Sequence, residues 1–226
     1  MKTSRRWPLL VVTPILFAAC SLGPNVKTST VDSQHTLTKT LTQSSASYVS
    51  ATDHAGGVVL SLTEADVRVE PKTHDLDVTG LDGTRFLVVG PVTYIDARDS
   101  SGVEAFVKAD NITFERLGVS AARAESEHAM LALLAALPEQ VNVWASNIKL
   151  VTRVEETYTV TVQRAAVVGI SKTDLRGDPS FEFIIDKTGK LKSWGLPGAK
   201  QQQLTVSSFE RVTVNTPTNI VKAPHL

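Results

Sequence analysis

A catalytic or metal centre in this chain would have to draw on five histidines and a single cysteine. His35, His54, His74, His128 and His225 are scattered along the sequence, and no two stand at the spacing of a zinc-protease helix. Glu125 and His128 lie one helical turn apart and share a face. Two ligands do not hold a metal, so the pair reads as a solvated helix face. Glu155 and Glu156 would point to opposite sides of a strand, which rules them out as an acid–base dyad. Arg176-Gly177-Asp178 before Pro179 matches an integrin-binding tripeptide, but a match so short is expected by chance and reads as a turn. There is no nucleophile elbow and no glycine-rich phosphate loop. With no nucleophile beside a base, the expectation is that the chain is not an enzyme and uses neither cofactor nor metal.

Cys20 is the one residue whose context suggests chemistry. It follows a basic start (Lys2, Arg5, Arg6), an apolar run from Trp7 and the small residues Ala18 and Ala19. This is the layout of a cleaved export signal. The run is shorter than the roughly 20 apolar residues that span a bilayer, and Pro8 and Pro14 interrupt it. A lone cysteine just after the cut has no disulfide partner, and lipidation of its thiol explains it best. The expected consequence is a chain anchored to the cell membrane through Cys20, facing the periplasm or the exterior. Arg5-Arg6 also fits a twin-arginine route, although Trp7 and Pro8 match that signal poorly.

The elements that follow must serve such an anchored chain. Removing residues 1–19, which hold three basic and no acidic residues, leaves 20 basic against 23 acidic residues, a formal −3. Nucleic acid is therefore not an expected partner, since binding it requires a basic patch. About 200 remaining residues suit one domain with a real core. The sequence divides into a signal (1–19), a flexible tether (20–34), a single domain (35–217) and a loose tail (218–226).

Within the domain, Leu37, Leu41 and Tyr48 stand at helical offsets, and Gly56-Gly57 breaks the chain after them. Strand signals follow: Val58 to Leu62, Val67 to Val69, Thr84 to Val89, Val92 to Asp96 and Val103 to Lys108. No helix-length segment separates them, so the sheet must be an antiparallel meander. Ser120 can cap a helix whose second half, from Ala129 to Leu137, is apolar on every side; Pro138 is expected to end it. A helix apolar all round must be covered on both faces. The sheet can cover one. A following short helix with Val141, Val143 and Trp144, or an apolar ligand, would cover the other.

Strands resume from Lys149 to Val154, Thr157 to Val162, Ser180 to Asp186 and Lys190 to Trp194, with a helical turn from Ala165 to Ile170; Leu204 to Phe209 and Arg211 to Val214 close the sheet. The expected class is α+β.

The order Tyr158-Thr-Val-Thr-Val, Phe181-Glu-Phe-Ile-Ile-Asp-Lys-Thr-Gly-Lys-Leu191, Leu204-Thr-Val-Ser-Ser-Phe and Val212-Thr-Val-Asn-Thr-Pro217 resembles the actinobacterial lipoprotein family of LppX and LprG. Family members usually carry an aromatic–glycine pair where this chain has Phe209-Glu210. The resemblance implies a curved antiparallel half-barrel of roughly ten strands with two or three helices over its concave face. It also implies an apolar cavity holding the acyl chains of a lipid or glycolipid, and is compatible with an envelope transporter as partner. Candidate cavity residues, chosen by strand or helix face, are Leu60, Leu62, Phe86, Val88, Leu131, Leu134, Val160, Val162 and Phe183. The rival expectation is an envelope lipoprotein with a filled core that acts as a protein-interaction module.

Overall fold

The computed structural model describes residues 31–81, 83–97, 102–108, 121–144, 146–167 and 177–221. Cys20 and the expected signal peptide lie outside these residues, as do Ser120 and the side chains of Glu125 and His128.

The chain folds as α+β around one antiparallel sheet. Helix α1 (Val31–Ala55) comes first, then β1 (Val58–Ser61), β2 (Ala65–Val69), β3 (Leu76–Gly80), β4 (Arg85–Val89), β5 (Val92–Asp96) and β6 (Phe106–Lys108). Helix α2 (Ala121–Trp144) divides these from β7 (Ile148–Val154), β8 (Thr157–Val162), β9 (Ser180–Ile185), β10 (Leu191–Gly195) and β11 (Leu204–Phe209). The eleven strands run in the order β6-β5-β4-β3-β2-β1-β11-β10-β9-β8-β7. Two meanders are thus zipped together where β1 pairs with β11. The sheet is not closed into a barrel, so β6 and β7 are its edges.

Helix α1 forms although threonine and serine are poor helix formers. Several of their hydroxyls fold back onto the carbonyl four residues earlier: Thr40 on Thr36, Thr42 on Thr38, Ser44 on Thr40 and Thr52 on Tyr48. Leu41, Ser44, Ser45, Tyr48 and Thr52 form the buried stripe. The helix starts at Val31, inside the stretch assigned to the tether, and runs to Ala55.

Its end needs both glycines. Gly56, at φ 79°, takes the left-handed position, and the amides of Gly57 and Gly56 cap the carbonyls of Thr52 and Asp53 at 3.0 and 3.2 Å. A Cβ on Gly57 would sit 2.6 Å from the Val212 side chain and 2.7 Å from the Glu210 carbonyl oxygen. The second glycine lets the C-terminal segment cross the helix end.

Helix α2 does not stop at Pro138. It continues to Trp144 with the proline inside it. Proline has no N–H for the carbonyl four residues back, which here belongs to Leu134. The indole N–H of Trp194 on β10 donates to that carbonyl at 2.6 Å, buried. A side chain 60 residues away thus replaces the missing donor, and the helix can run on. Val141 and Trp144 are then fully buried while Val143 is exposed, so the separate covering helix expected after Pro138 is the last two turns of α2.

Further expectations need correcting. Strand β3 has no counterpart in the sequence reading, and the strand expected from Val103 forms only at Phe106–Lys108. The strand expected over Arg211–Val214 is an extended strap. It crosses the sheet face opposite the helices, burying Val212 and Val214 with Leu87, Tyr94 and Phe106. The tail is tied down as far as Val221: Phe106 donates to Asn219 at 2.9 Å, and Val221 donates to Phe106 at 2.8 Å. Of the helical turn expected at 165–170, a 3-10 turn forms over Arg164–Ala166, and 168–170 lie outside the described residues.

Candidate functional site

The apolar layer between helices and sheet is built by strict alternation. Strand β8 buries Tyr158, Val160 and Val162, and β9 buries Phe181, Phe183 and Ile185, leaving the residues between half-exposed. Cross-strand register puts Val160 beside Phe181 and Tyr158 beside Phe183. On the other meander Leu76 faces Val88 and Val78 faces Phe86. These side chains, with Leu41 and Tyr48 of α1 and Leu133, Leu134, Leu137, Val141 and Trp144 of α2, belong to or pack against one continuous cluster.

Aromatic contacts lock the helices down. Tyr48 meets Trp194 edge-on at 5.0 Å and Phe209 at 5.8 Å, and Trp144 stacks on Phe181 at 5.4 Å and 16°. Burial pushes the Tyr48 phenol up, well above its ordinary range, against the opposing effect of the Thr52 hydroxyl. At the rim, His74 on the turn after β2 reaches Glu139 of α2 at 2.5 Å. Among the described residues, the buried donors Ser45 Oγ and Trp144 Nε1 have no hydrogen-bond partner.

The nine residues selected from the sequence all lie in this layer, and they split by exposure. Leu60, Leu134, Val160, Val162 and Phe183 are sealed in the core. Leu62, Phe86, Val88 and Leu131 pack against it but remain partly exposed, as do Met130 and Ala132. The layer is therefore shut under β8 to β10 and less tightly covered at β4 and at the middle of α2.

A concavity lies on the opposite face and is polar. A cleft of about 310 Å³ is bounded by Asp77, Arg85, Glu104, Phe106 and the strap from Thr213 to Asn219. Arg85 fills its floor: it grips Asp77 with two hydrogen bonds of 2.8 Å, reaches Glu104 at 2.5 Å and lies 5.8 Å over the Phe106 ring. The bonds to Asp77 are the main reason its guanidinium is held above the ordinary value. The one guanidinium here serves two carboxylates, so each charged group has an opposite partner and the floor is left with an excess of one negative charge. The sequence reading missed the cleft because its strap lies more than 100 residues beyond its strands.

Other sequence candidates are accounted for by contacts. Asp178 of the Arg-Gly-Asp tripeptide pairs with Lys149 and accepts the Arg164 amide at 3.0 Å, and these bonds lower its pKa; Arg176 lies outside the described residues. Glu155 and Glu156 sit in the β7–β8 turn, Glu155 at φ 55°. Among the described residues no three metal-ligating side chains cluster, and no helix is long and apolar enough to cross a membrane. No family model matches the chain, and no curated protein matches it.

Proposed function

We propose that this chain is a membrane-anchored lipoprotein that takes the acyl chains of a lipid or glycolipid between its sheet and its helices, for transport or presentation at the cell envelope. The supporting observation is the uneven cover of one apolar layer: Phe86, Val88, Leu62 and Leu131 are continuous with a sealed core yet reachable from outside. Each methylene moved from water into such a layer contributes about 0.8 kcal/mol, so aliphatic walls suffice for lipid affinity without polar machinery. Cys20 would hold the protein at the membrane, and an envelope transporter is a compatible partner.

The test is to fill the seam. Val88→Trp adds bulk at a half-buried position, so the fold should survive while uptake of a fluorescent fatty acyl probe falls at least tenfold. Unchanged uptake by a folded variant would remove β4 from the site. The second reading, a protein-interaction lipoprotein with a filled core, is favoured by the complete burial of Leu60, Val160, Val162 and Phe183. It predicts no uptake in either protein.

A further inference from the structure

Strand alternation divides β4 between two faces of the sheet. Phe86 and Val88 turn to the helices, while Arg85, Leu87 and Val89 turn to the side that the strap crosses. The cleft on that side is preformed. The Val214 amide donates to the Glu70 carboxylate, the Phe106 amide to the Asn219 carbonyl and the Asn219 side-chain amide to the Glu104 carbonyl, each at 2.9 Å. A strap bolted at both ends need not be ordered again when something binds.

The floor and the strap both carry unused hydrogen-bonding groups. A guanidinium has five N–H donors in one plane. Three of those on Arg85, one per nitrogen, are engaged by Asp77 and Glu104, which leaves one N–H on each terminal nitrogen in a plane that the carboxylates fix. The strap adds Thr213, Asn215, Thr216 and Thr218, whose exposed side chains bond to nothing among the described residues. Charge then decides the ligand class. Asp77 and Glu104 against Arg85 leave one negative charge, which disfavours phosphate, sulfate and carboxylate ligands. A metal ion would lie beside a guanidinium, and among the described residues no three metal-ligating side chains cluster. An acyl chain would strip water from three charged groups. A neutral molecule dense in hydroxyls suits the cleft, because each hydroxyl both donates and accepts. We propose that this cleft binds a neutral sugar unit, held by the two spare Arg85 N–H groups and the Asn215 and Thr216 side chains. The unit could belong to a soluble saccharide or to a glycolipid headgroup; an amine is the competing occupant. The cleft and the acyl layer lie on opposite faces, so the sugar site stands or falls independently of lipid uptake.

The experiment uses the full chain with Cys20→Ser, which has no thiol to lipidate. Heteronuclear NMR follows the Arg85 Nε and Asn215 side-chain signals during titration with the methyl glycosides of glucose, galactose, mannose and N-acetylglucosamine. At least one should shift both signals saturably, with millimolar affinity. Asn215→Ala with Thr216→Val, both at exposed positions, should weaken that binding at least about fivefold without moving the urea midpoint. The uronic acid of the same sugar should bind at least about threefold more weakly, and Glu104→Gln should remove that difference. The same glycoside on an octyl chain, below its micelle concentration, separates the sources. Equal affinity marks a soluble saccharide and affinity raised at least about tenfold marks a glycolipid headgroup, and either upholds the sugar site. No shift with any neutral glycoside would overturn the proposal. Shifts with glucosamine alone would overturn it in favour of an amine site, and unchanged affinity in the Asn215→Ala, Thr216→Val protein would overturn it by placing the sugar elsewhere.

Discussion

Replacing Trp194 with phenylalanine removes one hydrogen-bond donor and keeps an aromatic ring in place. The Leu134 carbonyl, which receives that donor at 2.6 Å, cannot turn to the helix instead, because residue 138 is proline. A buried acceptor left without a partner costs about 1–3 kcal/mol, and the smaller ring forfeits part of the 5.0 Å contact with Tyr48. Pro138→Ala in that background returns an N–H to the same carbonyl. The two substitutions should therefore couple: Pro138→Ala should stabilise the Trp194→Phe protein by about 1–3 kcal/mol more than it stabilises the parent. With a urea slope of about 2 kcal/mol/M, the coupling appears as a midpoint difference of about 1 M across the four proteins. Strict additivity would refute the idea that Trp194 serves the carbonyl Pro138 leaves free.

Other consequences are equally direct. Gly57→Ala should destabilise the fold by about 1–3 kcal/mol, since its Cβ would meet Val212 at 2.6 Å; hydrogen exchange should show the strap at residues 210–214 opening first. Arg85→Leu leaves Asp77, mostly buried, without its two-bond partner, and should cost about 1–3 kcal/mol in urea unfolding, with much of the loss recovered by Asp77→Asn. Asp186 is held at about 2, below its ordinary 3.8, chiefly by the Thr188 hydroxyl and then by the Lys190 amide. Its folded pKa is depressed, so its contribution to the β9–β10 turn is complete above about pH 4 and lost as pH falls toward 2. Carboxylate-detected NMR should report that titration, and Asp186→Asn should abolish the acid dependence of exchange at Lys190.

What could be read from the sequence was local. The alternation of Tyr158-Thr159-Val160-Thr161-Val162 and of Phe181 to Ile185 is a period-two signal, and both strands stand where it places them. The α+β class and antiparallel meander follow from such runs lacking intervening helices. Misreadings arose where a distant residue decides the outcome. Pro138 ends a helix unless something else serves Leu134, and nothing near it announces Trp194. Val212 and Val214 alternate as a strand would, yet alternation cannot tell a strand from a strap lying on a sheet. Strand β3 gives a weak signal because Asp77 and Thr79 make it half polar; Asp77 is there to be gripped by Arg85 from the next strand. The nine apolar candidates lie in one layer. Their division into sealed and half-covered depends on how completely the helices cover each part of the sheet, which no spacing encodes.

The most direct test of the lipid-binding account is native mass spectrometry of the chain, expressed and processed by an exporting bacterial host and released gently from its membranes. The account predicts a second population heavier by the mass of a lipid or glycolipid, removed by organic extraction and restored by adding the extract back. A protein that emerges bare and takes up no added lipid would contradict it.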